Sequence, residues 1–271
     1  SRRNPASRRI LPLRRMHRNV QLSKRRGVCR GASREKRHSL DRTRIQELDI
    51  FRGICLLGVY AAHIYFDAAA LCGAGDAPHP ILLLFEYGGI LFVLLSGICV
   101  TLGAHCIRRG GVVLGCAALV TAVSMAAAAL TGDPSLAVHF GILHLLGCCM
   151  LLYPLFRRLP LPALLAAAAA VLALGLFFDT LRVPQPWLFP IGLTTSTYEA
   201  ADYWPLFPYL GFFLLGAAAG RTLYREKKPR IPALQGRLRP LAFLGRHCLL
   251  LYLLQQPLTL LLLLPFTGGT L

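Results

Sequence analysis

The sequence predicts an all-α protein, a polytopic bundle of about seven transmembrane helices. Hydrophobic residues make up 55% of the 271 residues and charged residues only 15%, a balance typical of chains that a bilayer solvates. From Ile45 onward, apolar stretches of about 20 residues recur, each long enough to cross about 30 Å of hydrocarbon. The predicted spans are about 48–71, 81–107, 111–131, 139–156, 160–178, 205–224 and 241–266.

Residues 1–44 form a basic N-terminal arm that precedes the transmembrane domain, residues 45–271. The arm holds 16 Lys/Arg and 2 Asp/Glu, a net charge of +14, whereas the rest of the chain carries +4. Few large apolar residues and mutually repelling charges predict that the arm is disordered. Two functions stay open for it: contact with an anionic cytoplasmic leaflet, or fixing the orientation alone. Because the chain starts with Ser, a fragment boundary or a misplaced start is a third interpretation.

The distribution of basic residues predicts a cytoplasmic N-terminus. With the arm inside, three basic groups fall at cytoplasmic ends of predicted spans: Arg108 and Arg109, Arg157 and Arg158, and the segment 221–240. The opposite loops contain one basic residue, Arg182, which lies in a long connection, 179–203, that suits an ordered interfacial loop. We therefore predict a multi-pass protein of the cell membrane, in contact with membrane lipids.

The short motifs of this sequence indicate helix packing, and they give no sign of a metal site or of nucleic-acid binding. The small-residue motifs GVVLG (111–115) and GAAAG (216–220) predict close helix packing within the bundle. The nine cysteines form no C-x-x-C pair and lie mostly in apolar spans, so we predict reduced packing residues and no metal site. The basic arm has no interleaved aromatic residues, so nucleic-acid binding is not predicted. The sequence leaves a homo-oligomer open.

The first span carries four ionisable side chains, which is unusual for a membrane helix. At about 100° per residue, Asp49, Arg52, His63 and Asp67 fall within about 60° of one another, and Tyr60 lies on the same stripe. Because a lipid-facing stripe of this kind is heavily penalised, we predict that it faces the bundle interior or a hydrated cavity. His63 lies about 16 Å beyond Arg52 along the axis, which separates an inner pair from an outer pair.

Each of these pairs has two interpretations. Asp49 and Arg52 are one turn apart, and they suit either a structural ion pair or a binding function. His63 and Asp67 stand at i and i+4, where a carboxylate can orient an imidazole that acts as a general base. A buried His63 satisfied by a neighbouring helix is the alternative, although the nearby carboxylate favours a function.

Polar residues of other segments are placed to meet this stripe. His139 and His144 open the fourth predicted span, and His79 lies in the first outer loop. Arg246 stands near the inner end of the last span, where an Arg either holds phosphate groups or only obeys the charge rule. The residues alone thus indicate a polytopic protein with a polar path along its first helix.

Five segments, in order, are RIQELDIFRGICLLGVYAAHIYFD, FVLLSG, HFGILHLLG, YWPLFPYLGFFLLGAAAGRTLY and LGRHCLLLYLLQQP. They resemble the successive signatures of the heparan-α-glucosaminide N-acetyltransferase catalytic domain family, specifically its small bacterial members, and they extend over residues 44–265. The resemblance implies a transmembrane acyltransferase that takes an acetyl or other acyl group from cytosolic acyl-CoA, its donor substrate. The acceptor is expected to be an amino sugar or glycan on the other side of the membrane.

The resemblance also implies roles for particular residues. The family's first-helix His and Asp fall on His63 and Asp67, and its G-x-L-H histidine falls on His144. His79 is the only residue able to correspond to the active-site His in the first luminal loop of the animal enzyme. These four are the expected catalytic residues. The expected acyl-CoA and substrate contacts are Asp49, Arg52, Arg246, Tyr252, Gln255 and Gln256.

The closing signature departs from the family's SLxxYLxHQP at two positions, with Cys248 for Ser and Gln255 for His. Gln forms hydrogen bonds but takes no proton at neutral pH. If the family His shuttles protons, this member is impaired or works differently; if that His only binds, Gln255 suffices. Two other functions stay open: a transporter for a small solute, with the first-helix stripe as its pathway, and a catalytically inactive membrane scaffold.

Overall fold

The computed structural model describes residues 45–72, 79–198, 200 and 202–263. The described part is 77% helical and contains no strand, which confirms the predicted all-α class. Seven of the nine cysteines have described side chains, and these seven are free thiols. The helices in this part of the chain are α1 (Gln46–Cys72), α2 (His79–Leu102), α3 (Cys106–Thr131), α4 (Ile142–Phe156), α5 (Leu161–Asp179), α6 (Leu206–Leu223), α7 (Arg239–Arg246) and α8 (Cys248–Leu263).

Four of the helical stretches are long and apolar enough to cross a membrane. They are Gln46–Ala69, Cys106–Thr131, Leu161–Asp179 and Leu206–Leu223, and shorter apolar helices cover Tyr87–Leu102 and Ile142–Phe156. The last predicted span, 241–266, is divided at His247, which separates α7 from α8. The count of seven spans and the cytoplasmic N-terminus therefore stay predictions, as does the disordered arm, since residues 1–44 lie outside the described residues.

Hydrogen bonds between helix ends define one end of the bundle, which we call the basic end. The Gln46 side chain accepts the N–H of Gly236 at 2.8 Å and donates to the carbonyl of Arg237 at 3.0 Å. The Arg221 guanidinium donates to the carbonyl oxygens of Leu159, at 2.8 Å, and of Phe156, at 3.2 Å. The start of α1 and the ends of α4 and α6 therefore meet here, and the starts of α4 and α6 lie at the opposite, far end.

The core forms where α2, α4, α5 and α6 pack. A Cβ on Gly97 would lie 2.1 Å from the carbonyl oxygen of Phe213, and one on Gly216 would lie 2.1 Å from that of Leu94, so α2 and α6 touch backbone to backbone. The packing predicted for GAAAG is thus confirmed. The prediction for GVVLG is wrong in the described structure, because nothing lies within 4 Å of a Cβ on Gly111 or Gly115. Fully buried members of the core include Val93, Leu145, Cys149, Leu164, Phe213 and Leu214.

The long connection between α5 and α6 folds back into the bundle. It contains a 3₁₀ helix, Pro186–Ile191. Near its end, the backbone N–H of Trp204 donates a hydrogen bond to the carbonyl of Phe140 at 2.9 Å. The Trp204 ring fills the place of a side chain at Gly89, where a Cβ would lie 2.0 Å from the ring. Because Gly89 lies ten residues inside α2, about 15 Å along its axis, the connection reaches deep between the helices.

Candidate active site

The polar stripe of α1 lies away from the open face of that helix. The helix is continuous from Gln46 to Cys72, so the predicted stripe is a real surface. Its open face carries Ile54, Leu57 and Ile64, which are 48%, 44% and 39% exposed. In contrast, Asp49 is 4% exposed, and Arg52, Tyr60, His63 and Asp67 are partly buried. The stripe therefore faces the protein, as the penalty for charges in lipid requires.

At the basic end, α7 approaches α1 closely enough to bring Arg246 beside Asp49. A Cβ on Gly245 would lie 1.8 Å from the carbonyl oxygen of Asp49, and one on Gly53 would lie 2.2 Å from that of Leu241. The Arg246 Nε lies 3.4 Å from Asp49 Oδ2. Asp49 thus pairs across helices with Arg246, a partner from a distant part of the chain.

Two further arginines join this pair around Cys99 of α2. Asp49, Arg52 and Arg109 all lie near enough to act on the charge of the Cys99 thiol. The Arg52 Nε is buried and has no hydrogen-bond partner in the described part of the chain. Three guanidinium groups, those of Arg52, Arg109 and Arg246, thus lie at the same end as the carboxylates of Asp49 and Glu47. Guanidinium groups suit phosphate oxygens. Arg109 could not be singled out as a site residue from the sequence, because an Arg at the end of a span also obeys the charge rule.

Glu47 fastens the basic loop that follows α6 onto the start of α1. Its fully buried carboxylate accepts hydrogen bonds from the Tyr224 hydroxyl at 2.6 Å and from the backbone N–H groups of Arg230, at 2.9 Å, and Ile231, at 2.6 Å. Burial, and then the bond to Glu47, raise the pKa of Tyr224. No sequence pattern predicts this role of Glu47, since an acid in the first turn of a helix is ordinary.

Further along α1, the stripe meets α8 at Tyr60, and the outer pair lies beyond this contact. Asp67 lies near enough to His63 to act on its charge. The Tyr60 hydroxyl donates to the carbonyl of Leu251, which fixes α8 along α1. Gln255, one turn beyond Leu251, therefore reaches about the depth of His63, one turn beyond Tyr60.

Of the other predicted contacts, Gln255 and Tyr252 are described in full. Gln255 is 4% exposed, and its Oε1 has no hydrogen-bond partner among the described residues. Tyr252 packs against the core. The side chain of Gln256 lies outside the described residues.

The other two predicted catalytic histidines lie at helix starts. His144 is near the beginning of α4, where its Nε2 is 3.3 Å from the Thr121 hydroxyl of α3 and its ring stacks on Phe140 at 5.3 Å. The predicted loop position of His79 is wrong, because His79 is the first residue of α2. Its side chain lies outside the described residues.

Asp202 is a partly buried acid that no sequence motif singles out. Its Oδ2 accepts the N–H of Ile142, the first residue of α4, at 3.2 Å, and its side chain also bonds to Trp204. Burial raises the pKa of Asp202 to about 6, although both hydrogen bonds act in the opposite direction. No sequence pattern marks this residue, since its surroundings arise only when the connection folds into the bundle.

Comparison with known families adds to this geometry. The family described as heparan-alpha-glucosaminide N-acetyltransferase, catalytic, matches residues 44–257, from the start of α1 into α8. Comparisons with curated proteins and with solved structures give no match. The matched range contains every predicted site residue and confirms the resemblance seen in the sequence. The chain belongs to the heparan-α-glucosaminide N-acetyltransferase catalytic domain family.

Proposed function

We propose that this protein transfers an acetyl group from acetyl-CoA to an amino sugar or glycan acceptor across a membrane. Its family and its four long apolar helices support a membrane acyltransferase. The observation that carries the finer proposal is the polar face of α1, which connects the arginines of the basic end to His63 and Asp67. CoA has phosphates at one end of a long arm and the thioester at the other, so a donor along this face has a partner for each end.

The basic end suits the phosphate groups of the donor. Arg52, Arg109 and Arg246 come from three different helices, and the buried Nε of Arg52 offers a hydrogen-bond donor that no described residue uses. Phosphate oxygens accept from guanidinium groups with good geometry, and the surplus positive charge favours an anion there. The proposed orientation puts this end in the cytoplasm, where acyl-CoA is found.

His63 is the proposed general base at the other end of the path. The acceptor nitrogen attacks the thioester carbonyl carbon, so a C–N bond forms and the C–S bond breaks. The imidazole takes the proton that the nitrogen loses, and the proton passes to the departing CoA thiolate. Asp67 orients the imidazole and stabilises its cation. His79 is the second choice for this base, His144 is a further candidate for proton transfer, and Tyr252, Gln255 and Gln256 are proposed substrate contacts.

The test is thiol release from acetyl-CoA by the purified protein in detergent, with glucosamine and other amino sugars as acceptors. We expect acceptor-dependent release that falls by about 100-fold or more in His63→Ala, the range of general-base catalysis. His247→Ala, at an exposed position between α7 and α8, is the matched control and should keep full activity. A fully active His63→Ala protein would move the base to His79.

An inactive wild-type protein would count against the proposal. If no acceptor supports release and acetyl-CoA does not bind, a solute transporter or an inactive scaffold replaces the acyltransferase. Solute flux into proteoliposomes separates these two, because only the transporter produces it.

A further inference from the structure

The loop between α6 and α7, together with the exposed side of α7, forms a basic surface, residues 225–243, which we call the loop surface. This stretch contains six Lys/Arg and one acidic residue, a net charge of +5. The acid, Glu226, pairs with Lys228 at 2.9 Å. The other five cationic side chains are exposed and form no ion pair within the described part of the chain: Arg225, Lys227, Arg230, Arg237 and Arg239. The loop surface therefore offers positive charge to a partner outside the bundle.

Large apolar side chains are exposed among these charges. Ile231, Leu238 and Phe243 are 40%, 49% and 58% exposed, whereas Ala242 and Gly245, on the side of α7 that packs on α1, are buried. Basic and apolar side chains on one surface are the combination with which a segment lies in the headgroup region of an anionic bilayer. A soluble phosphate or an acidic protein segment would use the charges, but it would leave the apolar side chains in water.

Hydrogen bonds to the first turn of α1 hold the loop surface in one shape. Glu47 accepts two backbone N–H groups in the middle of the loop, and Gln46 makes two hydrogen bonds with its backbone further along. Lys227 and Leu238 have φ values of +52° and +49°, a left-handed conformation that is unfavourable for residues with a side chain. The charge rule alone requires neither the fastening nor the strained backbone, so both indicate a surface that is presented to a partner.

The loop surface lies where two candidate membrane spans end. It begins two residues after the apolar helix Leu206–Leu223, and it is fastened to the start of the span Gln46–Ala69. At the ends of such spans the hydrocarbon gives way to the lipid headgroups. The three arginines proposed for the donor are partly buried between helices, whereas the basic side chains of the loop surface are exposed. The loop surface is therefore separate from the proposed donor site.

We propose that the loop surface binds anionic phospholipids of the surrounding membrane. Their phosphate groups accept hydrogen bonds from the guanidinium and ammonium groups, and Ile231, Leu238 and Phe243 contact the lipid just below the headgroups. Each basic side chain near an anionic leaflet strengthens binding by a factor of about five. Because this binding does not require acetyl transfer, the proposal stands or fails independently of the proposed function.

Cross-linking to photoactivatable lipids tests the proposal at the loop surface itself. The full chain is reconstituted into phosphatidylcholine vesicles that contain a small fraction of photoactivatable phosphatidylglycerol or, in parallel, photoactivatable phosphatidylcholine. Mass spectrometry then measures the lipid attached to peptides from residues 225–243. The loop variant carries Arg225→Gln, Arg237→Gln and Arg239→Gln. The matched control removes the same charge from exposed side chains in two other turns, with Arg108→Gln, Arg157→Gln and Arg158→Gln.

We expect phosphatidylglycerol to label the loop surface of the wild type about tenfold or more above phosphatidylcholine. The loop variant should lose this preference and the control should keep it. A preference that survives in the loop variant, or an equal loss in the control, would overturn the proposal, because the charge of the whole basic end would then attract the lipid.

Two comparisons on the wild type keep the test decisive even if the loop variant does not fold. Equal labelling by the two lipids would overturn the proposal. Excess acetyl-CoA should leave the labelling by phosphatidylglycerol unchanged, because the donor site is separate. Displacement of the lipid by acetyl-CoA would assign the loop surface to the donor phosphates and overturn the proposal as well.

Discussion

Replacing Glu47 with Ala is expected to destabilise the protein by about 3–6 kcal/mol. The carboxylate is fully buried and accepts three hydrogen bonds, from the Tyr224 hydroxyl and from the backbone N–H groups of Arg230 and Ile231. A hydrogen bond to a charged acceptor contributes about 1–2 kcal/mol, and three donors, one buried and two partly buried, lose theirs at once. The basic loop after α6 would then be released from the start of α1.

Thermal unfolding of the purified protein in detergent measures this effect. For a chain of this size about 1 kcal/mol lowers the unfolding midpoint by about 2–4 °C, so a fall of about 10 °C or more is expected. Glu226→Ala is the control, because the Glu226 side chain is 74% exposed and its pair with Lys228 contributes at most about 1 kcal/mol. Equal midpoints for the two variants would refute the anchoring role of Glu47.

Three further predictions follow from the same structure. Gly245→Ala should destabilise the protein by about 1–3 kcal/mol or more in thermal melts, since its Cβ would lie 1.8 Å from the Asp49 carbonyl oxygen. Gly111→Ala is the control, because nothing lies within 4 Å of a Cβ there, and equal effects of the two variants would contradict the close packing of α7 on α1. Arg52→Gln should raise the KM for acetyl-CoA about tenfold by loss of a charge-assisted bond, and an unchanged KM would remove Arg52 from the donor site. Burial raises the pKa of Asp202 from 3.8 to about 6, so the folded protein binds this proton more tightly than the unfolded chain does. The free energy of unfolding should therefore fall as the pH rises from about 4 through about 6. Thermal melts at successive pH values measure this effect: across that range the wild type should lose at most about 3 kcal/mol of unfolding free energy relative to Asp202→Asn. A stability difference between the two proteins that does not change with pH would contradict this cause.

The helical class and the polar stripe follow from local sequence and so could be predicted. Apolar runs of membrane length require helices, and the spacing of Asp49, Arg52, His63 and Asp67 requires one shared face whatever the helix packs against. The confirmed packing of GAAAG is of the same kind, because small residues allow close approach. The error at GVVLG shows the limit of such a motif, since close approach also needs a partner helix.

The contacts between distant segments could not be predicted. Arg246 meets Asp49 because two glycines, Gly53 and Gly245, let α7 lie against α1, and neither glycine belongs to a recognised motif. Asp202 becomes a partly buried, hydrogen-bonded carboxylate only because its connection folds into the bundle. The sequence did not predict that the last span is divided at His247, because apolar residues continue on both sides of that residue.

The central claim is that acetyl transfer occurs along α1, from a donor at the basic end to an acceptor at the far side of the membrane. Proteoliposomes with glucosamine trapped inside and acetyl-CoA added only outside test it directly. We expect N-acetylated product inside the vesicles with wild-type protein and none with His63→Ala. Product that forms only when donor and acceptor are on the same side would contradict transfer across the membrane.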